Sequence, residues 1–233
     1  MNKNKIAYLL ITILIISGCG NNETASPDQK EKINYPSNNL TETTSVRSGS
    51  YELGKDFRMI DNPLPIKKDG VVEVTEAFWY GCNHCFSFES AINNWDAGKP
   101  DYVKFSKMPI TWNQIHQLHA SLYYTIEALK LDKGAHTAVF TTIHKENNFL
   151  ASEKAVLKFL SKLGVEEDKS KQYLNSFAVK QKVSRGIQVS RQLKITSVPM
   201  IVVDGKYIIE SKPSRQEMLE VLDYVVEMQK SSS

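Results

Sequence analysis

The sequence predicts an α/β fold carrying an inserted all-helical subdomain, and three observations lead there. A β-branched and aromatic run, Val71, Val72, Val74, Ala77 and Phe78, leads through Trp79-Tyr80-Gly81 into Cys82-Asn83-His84-Cys85. The stretch after Pro109 shows only helical periodicity for about eighty residues. A hairpin pattern follows Pro199, and one further amphipathic helix closes the chain.

The first run reads, from its β-branched and aromatic content, as a central buried strand feeding Cys82. Phe86, Phe88, Ala91, Ile92 and Trp95 then fit a helix that starts at the cysteine motif. Val103, Phe105 and Met108 mark the next strand, which ends near Pro109. In the helical block, Leu118, Leu122, Ile126 and Leu129 recur at spacings of four and three. Ser152 is placed to cap a helix bearing Val156, Phe159, Leu160 and Leu163, and Gly164 ends it with Val165 set for the usual hydrophobic contact. Val179, Val183 and Ile187 continue the pattern, and core packing accounts for all of these apolar positions. Met200 to Val203, the turn Asp204-Gly205, and Tyr207 to Ile209 form the hairpin. Ser214-Arg215-Gln216-Glu217 is a capping box for a last helix through Met218, Val221, Leu222 and Val225.

Ahead of these elements, residues 1–18 read as a lipoprotein signal peptide. Lys3 and Lys5 give a positive start, and the apolar stretch Ile6 to Ile16 is interrupted only by Thr12. That stretch is too short for a membrane span, which needs ~20 apolar residues. Ile16-Ser17-Gly18-Cys19 is similar to the bacterial lipobox, whose cysteine takes a lipid and becomes the first residue of the mature chain. An ordinary secretory signal with an incidental Cys19 is the competing reading. Gly20, rather than Asp, after the lipidated cysteine favours the outer membrane of a bacterial periplasm in lipoproteins of this kind. Residues 19–50 are rich in Asn, Thr, Ser, Glu and Lys with almost no aliphatic side chains, so they are expected to be a flexible tether. The remaining boundaries are 51–111 and 195–230 for the two parts of the sheet domain and 112–194 for the helical insertion. The formal charge of +3 falls to about +1 once Lys3 and Lys5 leave with the signal, too little to predict nucleic-acid binding. A monomer is expected.

Of the three cysteines, assigning Cys19 to a lipid leaves one pair. Two nearby thiols in an exported chain suit a reversible disulfide better than a structural framework. Zinc is the competitor, but a closed site needs four ligands, and the only close histidine pair, His116 and His119, lies some thirty residues away. No metal and no other cofactor is expected.

Thiol–disulfide exchange needs an accessible thiolate, a second thiol, and a means of holding the substrate sulfur. Cys82, at a predicted helix N-terminus, is the candidate nucleophile, because amide N–H groups and the helix dipole favour its anion. Cys85, one turn further on, suits the resolving role. His84 lies between them and can donate a hydrogen bond or charge to Cys82; an exposed histidine without a role is the alternative. Pro199 cannot donate to a central ladder, so Val198-Pro199 at the threshold of a buried strand suggests a special turn with a cis bond exposing the Val198 backbone to a peptide.

The run Glu76-Ala77-Phe78-Trp79-Tyr80-Gly81-Cys82-Asn83-His84-Cys85-Phe86-Ser87-Phe88-Glu89, the helical insertion, and Val198-Pro199 leading to Val202-Val203-Asp204-Gly205-Lys206-Tyr207 together resemble the DsbA family of thioredoxin-fold thiol oxidants. The resemblance covers about residues 50 to 230 and implies a thioredoxin-like fold, a cis Pro199 beside the cysteines, and Cys82 as the attacking thiol. It further implies reduced exported polypeptides as substrates and reoxidation by a DsbB-like, quinone-linked membrane partner. Glu76 matches the family's buried acid, where it relays a proton to or from Cys85; a simple strand-end residue is the alternative. Lys104 and Lys107 are both candidates for a basic partner of Glu76, and neither is assigned. Asn83 stands where the commonest family motif has proline, which leaves the redox potential open. The expected activity is a dithiol oxidase donating the Cys82–Cys85 disulfide. The alternatives are a reductase or isomerase of the same fold, and a tethered non-catalytic client-binding module. An isomerase of the DsbC type is disfavoured by the missing N-terminal dimerisation domain and by Val198 where such proteins usually carry Thr.

Overall fold

The computed structural model describes residues 51–64 and 70–232. The signal peptide, the tether, Cys19 and Gly20 lie outside the described residues. A five-stranded sheet of order β1-β5-β4-β2-β3 forms the frame. Its strands are β1 (Arg58–Met59), β2 (Val72–Phe78), β3 (Val103–Pro109), β4 (Met200–Val203) and β5 (Tyr207–Ile209). β2 runs parallel to β3 and antiparallel to β4, so it is hydrogen-bonded on both edges.

The lack of alternation in β2 and β4 has a direct cause: both sheet faces are covered. Val72, Val74, Ile201 and Val203 pack against Phe88 and Ile92 of α1 (Asn83–Gly98) and against Val221, Leu222 and Val225 of α7 (Arg215–Ser231). Ala77, Met108, Met200, Val202 and Ile208 pack on the opposite face with Leu193 and Ile195.

Between β3 and β4 come only helices: α2 (Gln114–Leu129), α3 (Gly134–His144), α4 (Glu153–Lys162), α5 (Glu167–Leu174) and α6 (Phe177–Gln192). Their core gathers Leu122, Ile126, Val139, Phe140, Leu150, Val156 and Leu160, and it also takes in Phe78, Tyr80 and Cys85. The insertion is therefore seated on the end of β2 and on the cysteine motif itself. This places the second cysteine at a junction of two packed layers, where water is excluded.

The local signals operate as the residues dictate. Ser152 Oγ accepts from the Ala155 N–H at 3.2 Å, and Gly164, at φ +82°, lets the Gly164 and Val165 N–H groups reach back to the Ser161 and Leu160 carbonyls. Ser214 Oγ accepts from the Gln216 and Glu217 N–H groups, opening α7. The Asp204-Gly205 turn has positive φ at both residues, which matches the twist of the hairpin it closes. Three elements escaped the sequence reading. The two-residue β1 is too short to show a period, and α3 and α5 merge into the helical block in sequence. The polar α5 buries only Ser170 and Leu174.

Candidate active site around Cys82 and Cys85

β2 leaves the sheet at Phe78, and Trp79-Tyr80-Gly81 turns the chain so that Cys82 becomes the N-cap of α1. A Cβ on Gly81 would lie 2.4 Å from the Trp79 ring, so the close approach of the indole requires a residue without one. Both cysteines are free thiols; Cys82 is half-buried and Cys85 fully buried.

The Cys85 N–H reaches Cys82 Sγ at 3.3 Å, filling the role that a Ser or Asp oxygen plays at other helix starts. A hydrogen bond from the Cys85 thiol is the main influence lowering the Cys82 pKa to about 6. Burial opposes it, while the backbone N–H groups of Cys85 and His84 and then the His84 charge add to it. Burial pushes the Cys85 thiol far up, and its hydrogen bond to Cys82 and the Cys82 charge push the same way. At neutral pH the pair thus divides into one thiolate at the surface and one thiol beneath it.

This division has a measurable consequence. Below pH ~6 reduction of the disulfide takes up two protons, and above it only one, so the reduction potential should fall by about 59 mV per pH unit below that point and about 30 mV above it. Redox titration against a thiol buffer at several pH values checks the break. A single steep line to pH 8 would show that Cys82 is not the low-pKa thiol.

The Val198–Pro199 peptide bond is cis, Pro199 is buried, and Val198 is half-buried. The Cys82 thiol lies 3.5 Å from the Val198 carbonyl, to which it donates when protonated. The fold therefore brings Cys82, Cys85, Val198 and Pro199 together from positions more than a hundred residues apart in sequence. His84 and Asn83 are both exposed on the first turn of α1, and the hydrogen bonds to Cys82 come from the Cys85 thiol and from the backbone N–H groups of Cys85 and His84, not from the Asn83 side chain.

Glu76 lies under the pair, only 1% exposed. Of the two basic candidates, Lys104 is exposed, whereas Lys107 is directly across from Glu76 in the β2–β3 register. Its Nζ is 3.2 Å from Glu76 Oε2 and 2.6 Å from Glu89 Oε2. Burial raises the Glu76 pKa to about 7; Lys107 pulls it down and Glu89 pushes it up. The sequence alone gives Glu89 no role. The available signal was its place four residues after Cys85, an acid on the same helix face as Phe88 and Ile92.

His116 and His119 belong to another cluster. Trp79 Nε1 donates to His119 Nδ1 at 3.0 Å, and His119 Nε2 lies 3.1 Å from the Phe149 carbonyl, which can only accept. Both ring nitrogens of His119 are occupied, in the neutral tautomer, and burial lowers its pKa to about 4. Among the described residues no three His, Cys, Asp or Glu side chains gather as a metal site, and no helix is long and apolar enough to cross a membrane.

A thioredoxin-like sheet, a surface thiol of low pKa over a buried partner, and a cis proline facing them define the class: a thiol:disulfide oxidoreductase. The family model described as a DSBA-like thioredoxin domain matches residues 108–221. The thiol:disulfide interchange protein DsbA of Pseudomonas aeruginosa is 32% identical over 191 residues, covering 81% of this chain and 90% of that one. Its namesake in Azotobacter vinelandii is 31% identical over 194 residues, with 82% and 91% covered. The crystal structure of Pseudomonas aeruginosa DsbA superposes with a TM-score of 0.74 at 34% identity, over 78% of this chain and 96% of that one. The chain belongs to the DsbA family of thiol:disulfide oxidoreductases.

Proposed function

We propose that the protein is a dithiol oxidase that donates a Cys82–Cys85 disulfide to reduced exported polypeptides. The observation that carries this reading is the low pKa of Cys82, about 6, above a buried thiol whose pKa is raised. A stabilised thiolate is a good leaving group and favours the reduced protein, which makes the disulfide oxidising.

In the first step a substrate thiolate attacks Cys82 Sγ; the Cys82–Cys85 bond breaks, and Cys85 leaves with the electron pair and takes up a proton. Glu76, with a pKa near 7, is suited to supply that proton through the interior. In the second step another substrate thiolate attacks the substrate sulfur of the mixed disulfide and expels the Cys82 thiolate. Two electrons pass from the substrate to the protein, and the substrate leaves with its disulfide. The Val198 backbone beside Pro199 is the docking edge for the substrate strand, and in the disulfide form Cys82 has no proton to occupy the Val198 carbonyl. His84 supports the anion, and Asn83 tunes it from the surface.

Reoxidation falls to a DsbB-like, quinone-linked membrane partner. The setting is the bacterial periplasm, with a lipid on Cys19 as the anchor, the outer membrane as its location through Gly20, and residues 19–50 as the tether to a monomeric catalytic unit.

Equilibration with glutathione tests the direction of transfer. An oxidase gives a potential well above that of thioredoxin, about −270 mV, and speeds disulfide formation in a reduced substrate. A value near thioredoxin's sinks the oxidase reading in favour of a reductase. Unchanged refolding of a reduced client without the cysteine pair would instead indicate a non-catalytic client-binding module.

A further inference from the structure

A cleft of about 560 Å³ opens beside the thiol pair, between α1 and the start of α7, with His84 and Pro199 at the end nearest Cys82. Phe88, Met218 and Leu219 give it apolar walls. Its charged residues are Lys212 and Arg215, and no Asp or Glu lines it. This cluster is not a reflection of the whole chain, whose charge without the signal is only about +1.

Lys212 is half-buried and Arg215 exposed, and each is tied to a neighbouring group. The Lys212 side chain is 13% exposed, and its Nζ pairs with Asp56 Oδ1 at 3.7 Å, which holds the ammonium at the cleft and offsets part of its charge. Arg215 Nη1 donates to the Ser87 carbonyl at 3.0 Å, which fixes the guanidinium between α7 and α1 without neutralising it. Its other N–H groups meet no acceptor among the described residues. Arg215 is also the first residue of α7, where the positive helix end disfavours a cation and favours an anion. The cleft thus concentrates positive potential within reach of the reacting sulfur.

We infer that Lys212 and Arg215 select reduced polypeptides carrying an aspartate or glutamate close in sequence to the reacting cysteine. The inference rests on the oxidase reading and names its preferred substrate class. A strand docked along Val198 places its neighbouring residues in this cleft, where an apolar side chain meets Phe88 and Met218 and a carboxylate meets the two cations. A bidentate Arg–carboxylate contact gives geometric discrimination that a diffuse field does not.

The test uses the oxidised protein and two dithiol peptides that differ only in a Glu or a Lys beside the cysteine. Each rate constant is divided by that of the same protein with dithiothreitol. The Glu peptide is expected to react about tenfold faster at low salt, with the ratio shrinking at high salt. Lys212→Gln with Arg215→Gln should bring the ratio to about one, and Lys212→Glu with Arg215→Glu should invert it. Equal rates for the two peptides, or a preference that survives the double reversal, overturns the inference while leaving the oxidase reading intact. Failure to oxidise dithiothreitol and both peptides overturns both.

Discussion

Cys82→Ser is expected to abolish disulfide transfer to a reduced substrate, lowering the rate by at least about 10³-fold to the uncatalysed background. The two cysteines are not interchangeable. With a pKa of about 6, Cys82 is mostly thiolate at pH 7, whereas Cys85, buried and held far above its ordinary pKa, is almost wholly protonated. Cys85 is also fully buried, so a substrate sulfur cannot come into line with it. Cys85→Ala should behave differently. It keeps a surface thiolate that attacks the disulfide of an oxidised substrate and expels one substrate thiolate, leaving a mixed disulfide that no second thiol of the protein resolves, so the covalent substrate complex should accumulate. Because the Cys85 thiol is the main influence lowering the Cys82 pKa, this variant should also raise that pKa from about 6 toward the ordinary thiol range. Ultraviolet absorbance of the thiolate against pH reads the shift, and gel analysis of the trapped complex reads the accumulation. Residual transfer by Cys82→Ser at more than a few per cent of the parent would reverse the assignment of the two thiols.

The contrast between what was readable in the chain and what was not follows the range of each signal. The Cys82-x-x-Cys85 spacing, the Ser152 and Ser214 caps and the Asp204-Gly205 turn are local, each set by atoms within a few residues. Doubly covered strands such as β2 and β4 lose alternation but keep their β-branched content, so they remain legible. Long-range partners are not written locally. Lys104 and Lys107 look alike in sequence, and only the parallel β2–β3 register puts Lys107 opposite Glu76. Glu89 gained its role through the packing of α1 over that strand, and the cationic cleft needed the hairpin to bring Lys212 and Arg215 to α1. The same logic explains β1, whose two residues pair with β5 across about 150 positions of sequence and carry no periodicity of their own.

Lys107→Met is expected to cost about 3–5 kcal/mol of stability at neutral to alkaline pH, because it removes the cation that pairs with two buried carboxylates. Methionine keeps much of the length and volume, so lost packing contributes little. The Lys107 side chain is 12% exposed, and those of Glu76 and Glu89 are 1% and 8% exposed. Burial alone would lower the Lys107 pKa, but Glu76 and Glu89 outweigh it and hold the ammonium charged. One positive charge faces two acids, and burial, with Glu89 adding to it, raises the Glu76 pKa to about 7 against the pull of Lys107. An acid whose folded pKa exceeds its unfolded one retains protons that the unfolded chain has lost. Its contribution therefore declines as pH rises from about 4.5 to about 7 in the parent protein. Without Lys107 the Glu76 pKa climbs further, and the decline extends to higher pH. The penalty of Lys107→Met should consequently be largest near pH 8 and shrink markedly by pH 5, where the unpaired Glu76 carboxyl can be protonated. Urea midpoints of the parent and variant at the two pH values give the comparison. Adding Glu76→Gln to Lys107→Met should recover much of the loss at pH 8, since an amide carries no charge to leave unpaired. An equal penalty at both pH values, or no recovery in the double variant, would show that Lys107 stabilises the protein by packing rather than by holding the two acids.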